Sequence, residues 1–199
     1  MTSKYTLKHR AFVILGLVSE KMHEGGCHAY DINKRIEERG MRDWTSIGAD
    51  FSFSTIYRTL DRLEKDELVE SYEEEIDGRK RNIYSITNFG YDVLKTKVHN
   101  VLYNYVGKSD EDFYVAFSMF QILLPEEQIE VFSHSLETII VHRKGLDKML
   151  NEMLKAYSGI PLNVTGLFIH PIKILKADED FLELVIEEIK KNNPIVNKD

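Results

Sequence analysis

The sequence predicts a mainly α-helical chain with one small β-hairpin, and three observations carry that expectation. Apolar residues recur at helical spacing from Tyr5 to Lys21, from Ala29 to Arg39, from Phe53 to Leu63 and through most of the second half. One stretch, VESYEEEIDGRKRNIYSIT, breaks that rhythm and alternates around Asp77-Gly78, a strong two-residue turn signal. No uninterrupted apolar run approaches the length of a membrane span.

The first helix carries Leu7, Ala11, Phe12, Ile14, Leu15, Leu17 and Val18, and Gly25-Gly26 ends the pattern. Ala29–Arg39 is the second, with Tyr30, Ile32 and Ile36 as its expected buried positions and Gly40 as its stop. Residues 41–50, including Trp44, read as a connector. The third helix follows Ser52, placed where an N-cap belongs. Phe53, Ile56, Tyr57, Leu60 and Leu63 are its expected apolar face. Ser54, Thr55, Arg58, Thr59 and Arg62 are left on the other, with side chains suited to phosphate oxygens and base edges.

The hairpin spans Val69–Thr87, and Arg79, Lys80 and Arg81 give its tip three cations. A cationic hairpin directly after a helix with a Ser/Thr/Arg face is the wing of a winged helix-turn-helix. A fourth helix opens at Asn88 and is expected to reach about Tyr105. Phe113–Leu124 is too apolar for a helix facing solvent. Pro125-Glu126-Glu127 then starts a helix running toward Tyr157, with proline in the first turn and carboxylates at its positive end. Val164–Lys191 reads as one or two further helices that Pro171 must kink or interrupt. The expected division is 1–95 for the winged helix-turn-helix and 96–199 for a helical dimerisation domain that could also bind an effector. Surplus apolar faces at Phe113–Leu124 and Leu167–Leu184, and around Phe12 and Leu15, suggest self-pairing.

Net charge is −7, which on its own argues against a nucleic-acid partner. Residues 1–95 hold 15 Lys and Arg against 17 Asp and Glu, so any DNA contact must come from local clusters. Those are Lys4/Lys8/His9/Arg10, Arg58/Arg62 and Arg79–Arg81. The single cysteine, Cys27, agrees with a reducing compartment, and MTSKYTLKHR lacks a secretory core, so a cytoplasmic location is expected.

With these residues in view, the first half resembles the PadR family of winged-helix transcriptional regulators. The resemblance rests on Ala29-Tyr30, Ser52-Phe53-Ser54-Thr55-Ile56-Tyr57, Leu60/Leu63, Leu68-Val69, Gly78-Arg79-Lys80-Arg81, Tyr84-Ser85-Ile86-Thr87 and Gly90, within residues 7–95. Ser54 and Arg58 stand where that family more often has Gly and Pro. The second half is similar more loosely, through Ile172-x-x-Leu175 and Phe181-Leu182.

The resemblance implies a homodimeric, sequence-specific regulator of double-stranded DNA, a repressor at its operator, in many relatives answering to a small apolar or aromatic effector. On this sequence the DNA-contacting residues are expected to be Ser52, Ser54, Thr55, Tyr57, Arg58, Arg62, Arg79, Lys80 and Arg81, with Tyr30 and Lys8. No residues are assigned to an effector. Phe113, Phe117, Met119, Phe120, Phe132, Met149, Met153 and Phe168 read as core and dimer seam ahead of a ligand pocket.

No catalytic signature, phosphate loop or metal motif appears. The chain is not expected to be an enzyme or to carry a cofactor or metal. His23, Cys27 and His28 read as an interhelix turn, and His134 and His142 as a core or interface pair on one helix face. The competing class is a winged-helix protein-interaction module, favoured by the acidic balance and by Glu73–Glu75.

Overall fold

A computed structural model describes residues 6–41, 51–76, 78–107 and 111–192, with positions 76 and 79 by backbone alone. Residues 42–50 of the connector with Trp44, Lys4, Asp77, the Arg79 side chain and residues 193–199 of the polar tail therefore lie outside the described residues. Seven helices and three strands are described: α1 His9–Ser19, β1 Cys27–His28, α2 Ala29–Glu38, α3 Phe53–Lys65, β2 Val69–Ile76, β3 Arg79–Ile86, α4 Asn88–Tyr103, α5 Glu111–Ser118, α6 Pro125–Ala156 and α7 Leu162–Asn192. Packing divides the chain into two compact units, Met1–Asn100 with Asp110–Phe120, and Val101–Ser109 with Gln121–Asp199.

In the first unit α1 is the central element. Phe12 to Val18 are all buried, as expected of a helix that is apolar all round. Phe12 and Leu15 are wholly enclosed, so the expectation that they help form a dimer surface is corrected. Ile32 and Ile36 of α2 and Ile56, Leu60 and Leu63 of α3 close over the same core. The sheet is antiparallel in the order β1-β3-β2, with Tyr84 opposite both Cys27 and Ser71. β1 is a strand where the sequence reads as a turn. Two residues are too few to show alternation, and their pairing is with β3, more than fifty residues away.

The joint between the hairpin and α4 accounts for Thr87 and Gly90. The Thr87 hydroxyl donates to the Glu67 carbonyl at 2.7 Å and accepts the Gly90 N–H at 2.9 Å, capping α4 while tying it to the strand entry. A Cβ at Gly90 would lie 2.0 Å from the Leu68 carbonyl oxygen, so only glycine fits. α5 also packs in this unit. Asp112 accepts from His9 Nδ1 at 2.8 Å and pairs with Lys97, while Met119, just beyond α5, sits against Gly16.

The second unit is built on α6 and α7, two long helices joined by a short loop. Glu127 caps the start of α6 by accepting the Leu124 N–H at 2.8 Å. Arg143 of α6 donates to Glu179 of α7 at 2.7 Å, and Lys176 reaches the same carboxylate at 2.9 Å, so the buried Glu179 is held below the usual carboxylate range by these hydrogen bonds. Pro171 lies inside α7, which runs on as one helix. Of the two expected arrangements it is the single helix that forms, since proline removes one donor and helical bonding continues on both sides of it. His134 stacks on Tyr103 at 3.7 Å, and its Nδ1 donates to the Tyr103 carbonyl at 2.8 Å. Together with Ser135, which donates to the Leu102 carbonyl, it satisfies the last turn of α4.

Candidate nucleic-acid interface

The outward face of α3 is set by which of its residues the core claims. Ile56, Leu60 and Leu63 are buried as expected, but Phe53 and Tyr57 are 44% and 48% exposed and Thr55 only 5%. The expected partition is therefore turned by about one side chain, since the core sits under the arc running from Thr55 through Leu63 to Leu60. Tyr57 does not place its ring in the core, and Thr55 is not on the outer surface. Ser54, Tyr57, Arg58, Asp61 and Arg62 are exposed, with Phe53 at the head of the helix. Thr59 is half-buried and its hydroxyl donates back to the Thr55 carbonyl at 2.8 Å.

Ser52 occupies the N-cap position with extended backbone, without a capping bond from its side chain. Its hydroxyl lies 3.1 Å from Ser54 Oγ and 3.0 Å from Thr55 Oγ1, so the three hydroxyls form one cluster. Arg58 is held against this cluster. Its Nε donates to the Ser54 carbonyl at 3.2 Å and its Nη2 to Thr55 Oγ1 at 3.3 Å.

Two clefts flank α3, and each gathers residues far apart in sequence. One is lined by Lys8, His9, Arg10, Thr55, Arg58, Thr59 and Arg62, four of them permanent cations from α3, the start of α1 and the residue before it. Arg62 is turned partly toward Asp66, 3.7 Å away. The other is lined by His28, Tyr30, Tyr57, Lys80, Arg81 and Asn82, from β1, α2, α3 and the hairpin. Tyr30 is 62% exposed and stacks on Phe53, with centroids 6.2 Å apart and planes 19° apart. Its expected burial is corrected: at the first turn of α2 it projects past the core that Ile32 and Ile36 fill.

The wing carries its own acid. Lys80 Nζ lies 2.9 Å from Glu73, its cross-strand neighbourhood being set by a register that places Glu73, Glu74 and Glu75 opposite Asn82, Arg81 and Lys80. Arg81 lines the cleft beside Tyr57. Sequence reading misses His28 and Asn82 there, and the outward Phe53 and Asp61. His28 Nδ1 donates to the Asn82 carbonyl at 3.2 Å, a bond that depends on β1 and so leaves no local signature.

Cys27 is buried, and burial pushes its thiol up to about 11, which leaves it protonated and a poor metal ligand. Among the described residues no group of three His, Cys, Asp or Glu side chains converges on a metal-sized site. No helix among them is long and apolar enough to cross a membrane.

Three helices, a hairpin wing and a cationic helix face between two basic clefts define a winged helix-turn-helix of the transcriptional-regulator class. The model of the transcriptional regulator PadR-like family matches residues 14–96, and the chain belongs to that family. An uncharacterised protein of Lysinibacillus sphaericus is 35% identical over 83 residues, which are 41% of this chain and 68% of that one. Among solved structures, Bacillus subtilis PadR in complex with operator DNA is 20% identical with a TM-score of 0.38, covering 92% of this chain and 99% of that one. The same protein in complex with p-coumaric acid gives 19% and 0.37 over the same shares. A PadR-like regulator from Bacillus cereus gives 20% and 0.36 over 94% of this chain and all of that one.

Proposed function

We propose that this regulator is a sequence-specific reader of double-stranded DNA that works as a homodimer and represses by occupying an operator. The observation that carries the reading is the placement of Ser54, Tyr57 and Arg58 on the free face of α3 between two cationic clefts. A helix of that width with phosphate-binding walls on both sides suits a major groove, with the walls meeting the two strands that bound it. Lys8, Arg10 and Arg62 serve one strand, and Tyr30, Lys80 and Arg81 the other. Arg79 belongs to the same proposal by its place at the wing tip. Thr55 and Ser52 act from beneath, through Arg58.

Dimerisation is assigned to the second unit. Val141, Met149, Leu162, Leu167 and Leu184 on α6 and α7 are all more than half exposed, an apolar surface that self-association would cover. Two heads on one dimer read two half-sites about one helical turn apart. A small apolar or aromatic effector that changes the separation of the heads completes the proposal, because both half-sites must be met together.

Fluorescence anisotropy with duplexes selected from a random pool, over a salt series, tests the DNA reading. Binding that weakens linearly on a log–log salt plot and prefers the selected duplexes supports it. No binding at low salt would turn the assignment toward a protein-interaction module, for which the Lys80–Glu73 pair is the best support. Sedimentation tests the dimer, and a monomer at micromolar concentration removes it. Thermal-shift screening of planar apolar compounds, followed by anisotropy, tests the effector.

A further inference from the structure

Phe53 opens α3 with nearly half its surface in water, and Tyr30 beside it is more exposed still. Their rings stack, which fixes the plane of the Phe53 ring without burying it. Core packing does not account for this pair, because an exposed ring gains little of the free energy that burial supplies. Phe53 sits in the first turn of α3 on the side that also carries Ser54 and Tyr57. In helix-turn-helix docking the first turn of the recognition helix meets the base edges. Those edges present donors and acceptors at every pair and a single apolar group, the C5-methyl of thymine.

We propose that Phe53 is a specificity-determining residue that covers a thymine C5-methyl group in the major groove, with Tyr30 stacked on it as a positioning residue. The inference rests on α3 being the DNA-reading helix. The ring has no polar atom to offer a phosphate or a base nitrogen, so a methyl group is the partner its chemistry fits. Stacking on Tyr30 restricts the ring before DNA arrives, which lowers the ordering cost of the contact.

The test uses the full-length chain and duplexes it selects from a random pool. Each thymine of a selected duplex is replaced in turn by deoxyuridine, which removes the methyl and leaves every hydrogen-bonding edge in place. At one thymine per half-site the replacement should weaken binding about fourfold, the value of one methyl group kept from water. Phe53→Ala should bind the parent and the substituted duplex equally at that position, with sensitivity at other thymines unchanged. Phe53→Leu, which keeps an apolar contact, should retain part of the difference. Tyr30→Phe should preserve it and Tyr30→Ala reduce it. Thermal unfolding of each variant reports that the head is folded. If wild type and Phe53→Ala share the same deoxyuridine sensitivity at every thymine, the Phe53 inference is overturned while DNA reading stands. If no duplex is enriched, the DNA reading fails and takes this inference with it.

Discussion

The Thr55 hydroxyl, buried under α3, accepts a hydrogen bond from the exposed Arg58 guanidinium at 3.3 Å. A cation on the outer face is thus aimed by a group the solvent does not reach. The Ser54 carbonyl holds the other side of the same guanidinium.

Thr55→Val keeps the volume of the side chain and removes the acceptor. It should lower stability by about 1 kcal/mol, the usual net worth of one hydrogen bond. Preference for the selected duplex over mixed-sequence DNA should fall roughly fivefold, less than the removal of a whole bidentate base pairing would cause. Thr55→Ser should restore the preference. Competition anisotropy checks it, and an unchanged preference would show that Arg58 needs no support from Thr55.

Lys80 and Glu73 make a pair on the wing, and if the wing meets phosphate as proposed, the carboxylate offsets part of the cation. Glu73→Gln should strengthen binding to every duplex and steepen its salt dependence. Lys80→Ala with Arg81→Ala should do the reverse, flattening the log–log slope by about 0.9 for each phosphate no longer neutralised. Parallel salt titrations of the three proteins decide it, and three equal slopes would remove the wing from the interface.

Burial raises the Asp112 carboxyl, but hydrogen bonds from His9 and Lys97 outweigh it and hold the group below the ordinary aspartate range. A depressed folded value adds stability that is complete above the unfolded value. That stability drains away as pH falls below about 4 and through the folded value. Asp112→Asn should therefore cost about 2 kcal/mol near neutrality, as for hydrogen bonds to a charged group. The gap between the two proteins should narrow steadily in acid. Urea unfolding from pH 7 to pH 3 measures it, and a gap that stays constant would contradict the assignment.

Gly90 leaves no clearance at the Leu68 carbonyl. Gly90→Ala should cost about 3 kcal/mol, at the upper end for overpacking, because the clashing atom is backbone and cannot rotate away. Thermal unfolding reads the loss. A change under about 0.5 kcal/mol, the range of neutral surface substitutions, would mean that α4 and the strand entry move apart freely.

The helices and the hairpin are legible in the sequence because their signals are local. The periodicity of Ile56, Leu60 and Leu63, the Asp77-Gly78 turn and the Pro125 helix start each lie within a few residues of what they specify. Spacing misplaces Phe53 and Tyr57 for the same reason that makes α3 easy to find. Both fall at the rim of an apolar arc, and spacing cannot say where the core stops. Thr55 shows the converse, a polar residue the core accepts because Ser52 and Arg58 satisfy its hydroxyl. β1 depends on β3 for its existence, and α5 owes its place beside α1 to His9, Gly16 and Lys97. Contacts of that range have no counterpart in any window of sequence. The two clefts follow the same rule, since Lys8 meets Arg62 and Tyr30 meets Arg81 only after folding.

The basic walls of α3 belong to a chain with seven more negative than positive charges. For a molecule that reads DNA, that imbalance acts on the encounter before it acts on the complex. A polyanion repels approaches that lead with carboxylates and draws in those that lead with α3, so the field sorts orientations while the partners are still apart. Indiscriminate adhesion to duplex feeds on bulk positive charge, which this chain lacks. On the proposed DNA reading, residence on wrong sites would be correspondingly brief. Under that reading the acidity would serve the search, exchanging grip on arbitrary DNA for quick release and another trial.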